Sequence, residues 1–189
     1  MGKLVVTEFS SLDGVIEDPG GSEKTERGGW AFRFDSGDDG GKFKFDELMA
    51  SDAQLLGRVT YEGFASAWPT MEGAGEFGVK MNEMPKFVYS TTLDEPSWNN
   101  TTVISGELAD EVAKLKKQFS GDILVAGSAQ LVSGLVSRGL VDELHLMVYP
   151  VVLGGGKRLF ADVVDPASWK LVEVRQTGAV ALLTLVPER

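Results

Sequence analysis

Apolar residues in the middle of the chain follow first the spacing of a strand, then that of a helix, then that of a strand again. Ile123–Ala126 is a short apolar run typical of a buried strand. Glu143–Val152 is rich in β-branched and apolar residues and predicts a second strand. Between these strands apolar residues repeat at helical spacing, at Leu131, Val132, Leu135 and Val136. A helix that begins just after Gly127 presents unpaired N–H groups, which suit a phosphate.

The same periodicities predict elements on both sides of this central unit. Strands are expected at Lys3–Phe9, Gln54–Leu56, Lys86–Ser90 and Val103-Ile104, and helices at Phe43–Ser51, Gly57–Phe64 and Glu107–Phe119. Trp169–Gln176 and Ala179–Val186 flank the turn dipeptide Thr177-Gly178 and predict an antiparallel hairpin. Strands that alternate with helices predict an α/β fold with helices on both faces of a mostly parallel central sheet, closed by this C-terminal hairpin. We expect a single domain over residues 1–189.

Two glycine-rich stretches, Asp18–Gly41 and Thr70–Gly78, are predicted as loops. Aromatic residues occupy alternate positions in the first, at Trp30, Phe32 and Phe34. Two interpretations are equally open. The aromatic side chains pack on the core, or they close over a ligand.

Composition excludes several classes of function. The net charge of −10 argues against nucleic acid and anionic membrane as partners, because both require clustered Lys and Arg. The absence of cysteine excludes disulfides, thiol catalysis and Cys-ligated zinc. Neither a signal peptide nor an apolar run of membrane-spanning length is visible, so a cytoplasmic protein is expected.

Candidate residues for phosphate-loop, metal and cation binding do not meet the requirements of those sites. Gly154–Lys157 lacks the first Gly and the final Ser or Thr of a phosphate-binding loop. His145 is the only histidine, and its mid-strand position indicates a packed or surface residue rather than a metal ligand. The acidic pairs Asp38-Asp39 and Asp46-Glu47 are best interpreted as solvated surface. No metal site is predicted.

A second strand–glycine–helix junction lies at Gly57, with Arg58 beside it. Arg58 either pairs with a surface carboxylate or clamps a phosphate with its fork of donors. Ser90 and Thr91 follow another predicted strand, where hydroxyl groups cap a turn or bind a ligand oxygen.

Four segments together resemble one known family. They are SLDG at Ser11–Gly14, LLGRVTYE at Leu55–Glu62, KFVYSTTL at Lys86–Leu93, and LVAGSAQL through VDELHLMVYPVVLGGGKRLF within Leu124–Phe160. Their order and spacing resemble the dihydrofolate reductase superfamily. The nearer resemblance is to the reductase domain of bifunctional riboflavin-biosynthesis enzymes.

The resemblance implies NADPH as cofactor, lying across the carboxyl ends of the strands. Gly57, Arg58 and Thr60 match residues that hold the adenosine-side phosphates, with Arg58 on the extra phosphate of NADP. Ser90 and Thr91 match contacts near the adenine ribose, and Phe9, Val15 and Ile16 lie where the nicotinamide rests. The turn that meets the pyrophosphate is matched by Ala126, Gly127, Ser128, Ala129, Gln130 and Leu131.

The implied activity is hydride transfer to a small-molecule substrate, a pyrimidine- or pteridine-like heterocycle. Glu8 and Asp13 are the predicted proton donors. Trp30, Phe34 and Trp68 are predicted either as a substrate wall or as core. Gly41 stands where dihydrofolate reductases carry a carboxylate, and Ala126 where the riboflavin reductases often carry a glutamate.

Two alternatives to this reductase stay open at this point. One is a non-catalytic nucleotide-binding module derived from such an enzyme, and the other is dihydrofolate reductase proper. The resemblance also implies a possible homodimer, with the strand Leu144–Val152 and the terminal hairpin as its apolar face.

Overall fold

The strands form one sheet in this computed structural model, which describes residues 1–163 and 165–188. In chain order they are β1 (Leu4–Ser11), β2 (Ser51–Gly57), β3 (Lys86–Tyr89), β4 (Thr101–Ile104), β5 (Asp122–Ala126), β6 (Glu143–Tyr149), β7 (Trp169–Thr177) and β8 (Val180–Pro187). The helices are α1 (Gly37–Ala50), α2 (Arg58–Ala67), α3 (Gly75–Glu83), α4 (Leu108–Gln118) and α5 (Ala129–Ser137), with short 3-10 turns at Ala31–Arg33 and Trp68–Thr70.

The sheet order is β4-β3-β2-β5-β1-β6-β8-β7. Every pairing from β4 to β6 is parallel, and β8 pairs antiparallel with both β6 and β7. The predicted mostly parallel sheet with an antiparallel C-terminal hairpin is therefore confirmed. Because parallel strands end at the same edge, the residues that follow β1, β2, β3, β5 and β6 lie side by side.

Alternation along the strands divides the core between the two faces of the sheet. Leu4 and Val6 of β1 pack with apolar residues of α4 and α5, whereas Val5 between them packs with residues of α1, α2 and α3. β5 behaves in the same way, since Ile123 and Leu124 belong to opposite clusters. The helices thus cover both faces, as the pattern of strands and helices predicts.

Two helices extend into stretches that the sequence predicts as loops. α1 begins at Gly37, six residues before the predicted start, with Asp38 and Asp39 in the first turn where carboxylates favour a helix N-terminus. α3 lies within and beyond the predicted Thr70–Gly78 loop. Its glycines hide a helical spacing of apolar residues, at Phe77, Met81 and Met84, that packs against the core.

The loop before α1 places its aromatic residues in different environments. Trp30 is fully buried and donates its indole N–H to Glu17 O at 2.9 Å. Phe34 is half-buried against Tyr149, with ring centroids 6.2 Å apart, whereas Phe32 is 79% exposed. Packing on the core is therefore the correct interpretation for Trp30.

Candidate functional site

The residues that match cofactor contacts lie in a row along the carboxyl edge of the sheet. Ser90 follows β3, Gly57 ends β2, Gly127 follows β5, and Phe9 lies near the end of β1. These four strands are neighbours in that order, at the usual spacing of about 4.8 Å between strands. The topology thus brings together four stretches that are far apart in sequence.

Gly127 and Ser128 form an unusual junction between β5 and α5. Both have left-handed backbone angles, with φ of +59° and +64°. A Cβ atom on Gly127 would lie 2.8 Å from Thr60 Oγ1, so the position admits only glycine. Ser128 has a Cβ and pays a conformational cost for this angle, which surrounding contacts must offset.

The Ser128 hydroxyl supplies those contacts. It accepts a hydrogen bond from the Gly57 backbone N–H at 2.8 Å and donates one to Thr60 Oγ1 at 2.9 Å. We call these three residues the Ser128 latch. The latch fastens the beginning of α2 to the beginning of α5, and two neighbouring helix N-termini favour an anion more than one does.

Arg58 stands at the first position of α2, beside the latch. Its guanidinium donates to both carboxylate oxygens of Glu62, at 2.9 and 3.1 Å, and the two side chains are nearly half exposed. Such a surface pair is weak, so the guanidinium can exchange Glu62 for a phosphate at little cost. Both interpretations of Arg58 from the sequence are compatible with this position.

Ser90 performs the turn-capping role that its sequence position allows. Its hydroxyl accepts from the backbone N–H groups of Thr92 and Leu93, both at 3.1 Å. The adjacent Thr91 is exposed at the same edge. On the other side of the latch, Gln130 is exposed and Leu131 is buried in the core, so Leu131 offers a ligand its backbone only.

Aromatic residues line the β1 end of the row. The Phe9 ring lies 5.4 Å from Tyr149, and Tyr149 also contacts Trp30 and Phe34. Ile16 is buried with the cluster beneath α5. Trp68 is not brought to this place, because it packs with Phe64 and Phe77.

Trp68 instead borders a cavity of about 320 Å³ between the second 3-10 turn and α3. None of the predicted cofactor contacts lines that cavity. The predicted substrate wall therefore divides, with Trp30 and Phe34 near Phe9 and Trp68 elsewhere.

The two predicted proton donors have opposite environments. Burial raises the pKa of Glu8 well above its ordinary value, against the opposing effects of Lys44 and the Gly127 amide. Its Oε1 is buried and has no hydrogen-bond partner. Burial thus favours the protonated form of Glu8, which lies beside the β5–α5 junction.

Asp13 is an ionised acceptor. Its carboxylate accepts from the Ser11 hydroxyl at 2.7 Å and from the backbone N–H groups of Leu153 and Gly154 at 3.1 and 2.9 Å. The Ser11 hydrogen bond, aided by those two amides, lowers the pKa of Asp13. These contacts favour a role in fastening the Gly154–Gly156 loop over a role as proton donor.

Sequence reasoning missed a set of charged side chains between α1 and β6. Glu47 is wrongly predicted as solvated surface, since its side chain is 5% exposed. It pairs with Lys44 on its own helix and bonds His145 Nδ1 through Oε1 at 2.6 Å. His145 Nε2 bonds Glu143 Oε1 at 2.9 Å. We call Lys44, Glu47, His145 and Glu143 the charged chain.

Electrostatics reinforce the charged chain. Burial opposes protonation of His145, but the hydrogen bonds to Glu47 and Glu143 outweigh it and raise the pKa of His145 above its ordinary value. Burial likewise works against ionisation of Glu47, and Lys44 with His145 outweighs it, which lowers the pKa of Glu47. Of this set, the sequence shows only the spacing of Lys44 and Glu47, three residues apart on a predicted helix. The approach of His145 depends on the fold.

The RibD C-terminal domain model matches residues 2–183. The chain belongs to the RibD C-terminal domain family. Two relatives from Bacillus subtilis strain 168 agree with this extent. The uncharacterized protein YyaP is 35% identical over 143 residues, which cover 73% of this chain and 76% of YyaP. The uncharacterized protein YwjB is 28% identical over 184 residues and 97% of each chain.

Solved structures share the fold of this RibD C-terminal domain. A Shewanella sp. PV-4 protein named for riboflavin biosynthesis aligns over 99% of both chains with a TM-score of 0.80 and 20% identity. The deaminase/5-amino-6-(5-phosphoribosylamino)uracil reductase of Thermotoga maritima aligns over 99% of this chain and 57% of its own, with a TM-score of 0.63 and 16% identity. Enterococcus faecalis dihydrofolate reductase, complexed with NADP(H) and RAB-propyl, covers 100% of this chain and 98% of its own, with a TM-score of 0.61 and 15% identity.

Two further observations bear on what this RibD C-terminal domain binds. Over residues 1–163 and 165–188, no three His, Cys, Asp or Glu side chains are grouped so as to hold a metal ion. Within the same ranges, every helix is too short or too polar to cross a membrane. At the carboxyl edge, the Gly127 junction and the two latched helix N-termini present backbone N–H groups that suit an anion.

Proposed function

We propose that this protein is an NADPH-dependent reductase that transfers a hydride to a C=N or C=O group of a small pyrimidine- or pteridine-like heterocycle. The observation that carries the proposal is the Ser128 latch. It holds a left-handed Gly127-Ser128 junction against the beginning of α2, in the middle of a row of polar strand ends. Strain held by specific contacts is typical of functional sites.

Family and fold support the choice of cofactor and reaction. The family is that of the RibD C-terminal domain, and the Thermotoga maritima neighbour carries a uracil-derivative reductase in its name. The Enterococcus faecalis dihydrofolate reductase was solved with NADP(H).

Each part of the row takes a defined task in this proposal. Backbone amides of residues 127–131 and the Ser128 latch bind the pyrophosphate, and Arg58 binds the phosphate that distinguishes NADPH from NADH. Ser90 and Thr91 contact the adenine ribose, while Phe9 and Ile16 receive the nicotinamide. NADPH, when bound, supplies the hydride, and the protein orients the reactants and excludes water.

Of the two carboxyl groups predicted as proton donors, Glu8 has an environment that favours its protonated form and Asp13 one that favours its ionised form. Burial raises the pKa of Glu8, whereas the hydrogen bonds that Asp13 accepts from Ser11 and two amides lower the pKa of Asp13. Asp13 therefore holds the loop after β6 in place, next to Arg158, whose Nε donates to Asp13 O at 2.9 Å.

A non-catalytic nucleotide-binding module is the second candidate. The observation that favours it is Gly41 on helix α1, because the resemblance puts Gly41 where dihydrofolate reductases carry their carboxylate. Both candidates bind NADPH, so turnover distinguishes them. NADPH oxidation with dihydrofolate, 7,8-dihydropterin or 5-amino-6-(5-phosphoribosylamino)uracil would establish the reductase.

The cofactor assignment is tested by thermal shift with NADPH, NADH and FMN. NADPH should stabilise the protein most, because binding to the folded state raises its melting temperature. Arg58→Ala should weaken NADPH about 10–100-fold, the value of a lost charge-assisted hydrogen bond, and leave NADH unchanged. Arg138→Ala, an exposed arginine at the far end of α5, is the matched control. Equal losses for NADPH and NADH would show that Arg58 does not bind the extra phosphate.

A further inference from the structure

The charged chain lies on the face of the sheet covered by α1 and runs from the beginning of β6, at Glu143, to Lys44 beside Phe9. Lys44 and Glu47 lie one helical turn apart on α1, and Glu143 and His145 lie two residues apart on one face of β6. Each member bonds the next, from Lys44 through Glu47 Oε2 and Oε1 to His145 Nδ1, and from His145 Nε2 to Glu143. The four side chains are therefore joined by a continuous series of hydrogen bonds.

One end of the charged chain, at Glu143, reaches solvent. Glu143 is the first residue of β6, and its carboxylate meets the exposed Lys3 at 3.4 Å. Its register partner on β1 is Val5, whereas that of Phe9 is Met147. At about 3.3 Å per residue, roughly 13 Å of strand separates Glu143 from the level of Phe9.

The other end lies where the proposed site begins. Lys44 Nζ donates to Thr7 Oγ1 at 2.6 Å and stands 5.6 Å from the centroid of the Phe9 ring. The Lys44 side chain keeps 21% of its surface exposed, while that of Glu47 keeps 5%. Within the charged chain, Lys44 is therefore the accessible cation, and it lies beside Phe9.

Glu8 lies between Thr7 and Phe9, but alternation along β1 turns it to the other face of the sheet. Glu8 lies on the same face of β1 as Leu4 and Val6, which pack beneath α4 and α5. The carboxyl group of Glu8 thus faces the β5–α5 junction, whereas Lys44 faces the aromatic group around Tyr149. A proton for the substrate is better supplied from the Lys44 side.

Resting on the proposed function, we propose that Lys44 donates the proton to the substrate during reduction, and that Glu47 and His145 are positioning residues that return a proton to it. The Lys44 N–H bond breaks as its proton joins the substrate nitrogen or oxygen that receives an electron pair. NADPH supplies the two electrons. Neutral Lys44 then takes a proton through Glu47 from Nδ1 of the His145 imidazolium, and the neutral ring, which keeps its Nε2 proton, regains a proton at Nδ1 from solvent.

Several charged groups surround His145 and act on its titration besides its two hydrogen-bonded carboxylates. Asp122 on β5 and Lys3, which precedes β1, lie close enough to influence Glu143 at this end of the charged chain. Arg175 on β7 stands over the Phe43 ring, which contacts His145 edge-on at 5.2 Å. These groups are unchanged in the variants below.

The decisive variant is Lys44→Arg. Arginine keeps the charge and the pair with Glu47 but does not release a proton in proteins. Lys44→Arg and Lys44→Met should both lower kcat roughly 10²–10⁴-fold, the usual contribution of general acid catalysis. NADPH affinity should stay unchanged in both. Lys42→Met, an exposed lysine of the same helix that pairs with Asp46, should keep full activity.

NMR provides a readout that does not depend on activity. His145 is the only histidine, so its ring resonances titrate alone. Lys44→Met should raise the pKa of His145, because Glu47 loses its other cation, whereas Lys44→Arg and Lys42→Met should leave it unchanged. His145→Gln should lower kcat without raising KM and should change the pH profile of kcat.

The outcomes separate this inference from the proposed function. A wild-type protein that neither binds nor oxidises NADPH overturns the proposed function and the donor role with it. Normal turnover with full activity in Lys44→Arg overturns the donor role alone, as does a loss confined to Glu8→Gln. If the pKa of His145 is the same in Lys44→Met as in wild type, the titration of His145 is not coupled to Lys44 through Glu47.

Discussion

The hydroxyl of Ser128 donates a hydrogen bond of 2.9 Å to Thr60 Oγ1, which joins two helix N-termini 68 residues apart in the chain. The same oxygen accepts the Gly57 N–H, so one side chain sets the relative position of α2 and α5. The latch also explains how Ser128 tolerates a left-handed backbone angle, because the two hydrogen bonds of its hydroxyl offset the conformational strain.

Ser128→Ala should destabilise the protein by about 1–3 kcal/mol, since it keeps the strained backbone and leaves the Gly57 amide without its acceptor. Ser128→Gly should lose less stability because glycine adopts the left-handed angle freely. Both should weaken NADPH. Urea unfolding and NADPH titration measure the two effects, with Ser137→Ala, at the exposed end of α5, as the control. Unchanged NADPH affinity in both Ser128 variants would place the pyrophosphate elsewhere.

Lys86 ends α3 in an unusual way. Its side chain is fully buried and donates to three backbone carbonyl groups at the end of that helix, those of Met81, Asn82 and Met84, at 2.8–3.1 Å. The ammonium also lies 4.3 Å from the centroid of a Trp98 ring. Lysine thereby supplies what a helix C-terminus lacks, namely donors and positive charge.

Lys86→Met should cost about 2–4 kcal/mol of unfolding free energy, because methionine fills the space but leaves those buried carbonyls without donors. Chemical denaturation checks the value. Lys80→Met, which changes a lysine on the same helix, is the matched control. A loss no larger than that of Lys80→Met would mean that water replaces the Lys86 donors.

The alternation of strands and helices along the chain and the glycine junctions after two strands could be predicted, because they depend on local periodicity and on glycine positions. The sheet order depends on how distant strands pair and was not predicted. Gly57 and Gly127 stand out in the sequence, each between an apolar run and a helical pattern. The Ser128 latch could not be predicted, since serine rarely adopts a left-handed angle and nothing local shows that Thr60 would lie beneath it.

The charged chain lay beyond prediction for a different reason. Glu47 and His145 are 98 residues apart, and their contact depends on where α1 crosses the sheet. Glycine at positions 37, 40 and 41 concealed the start of that helix. A helix predicted over Phe43–Ser51 does not show where its axis crosses the sheet, so the burial of Glu47 against His145 could not be predicted.

Stability should depend on pH through His145. The hydrogen bonds to Glu47 and Glu143 raise the pKa of His145 in the folded protein despite its burial. Its contribution is thus fully present below the unfolded value of about 6.5 and is lost as pH rises through the folded pKa. The difference in melting temperature between wild type and His145→Gln should be largest near pH 6 and should shrink in alkaline solution.

Effects of other groups, including the buried Glu8, cancel in that difference as long as both proteins are compared at each pH. Below about pH 4.3 the difference should shrink again, because Glu47, with its lowered pKa, contributes stability that is lost as it becomes protonated. A difference that grows with pH above 7 would contradict a protonated His145.

Methotrexate should not bind tightly. The resemblance puts Gly41 of α1 where dihydrofolate reductases carry a carboxylate, and the charged group that α1 presents beside Phe9 is the Lys44 ammonium. An ammonium cannot accept the hydrogen bonds of a protonated aminopteridine. Thermal shift in the presence of NADPH measures this, and a nanomolar Kd would instead restore dihydrofolate reductase proper as the function.

The terminal hairpin should form a homodimer. β6 is flanked by β1 and β8 and cannot offer an open edge, whereas β7 is the last strand of the sheet. β7 exposes Leu171, Val172 and Val174 by 50, 58 and 60%. An apolar edge strand left open to solvent invites pairing. Light scattering after gel filtration should show a dimer that Val174→Glu converts to a monomer, while Val79→Glu, at an equally exposed valine of α3, leaves it intact. A wild-type monomer at micromolar concentration, or dissociation by Val79→Glu alone, would exclude the hairpin as the interface.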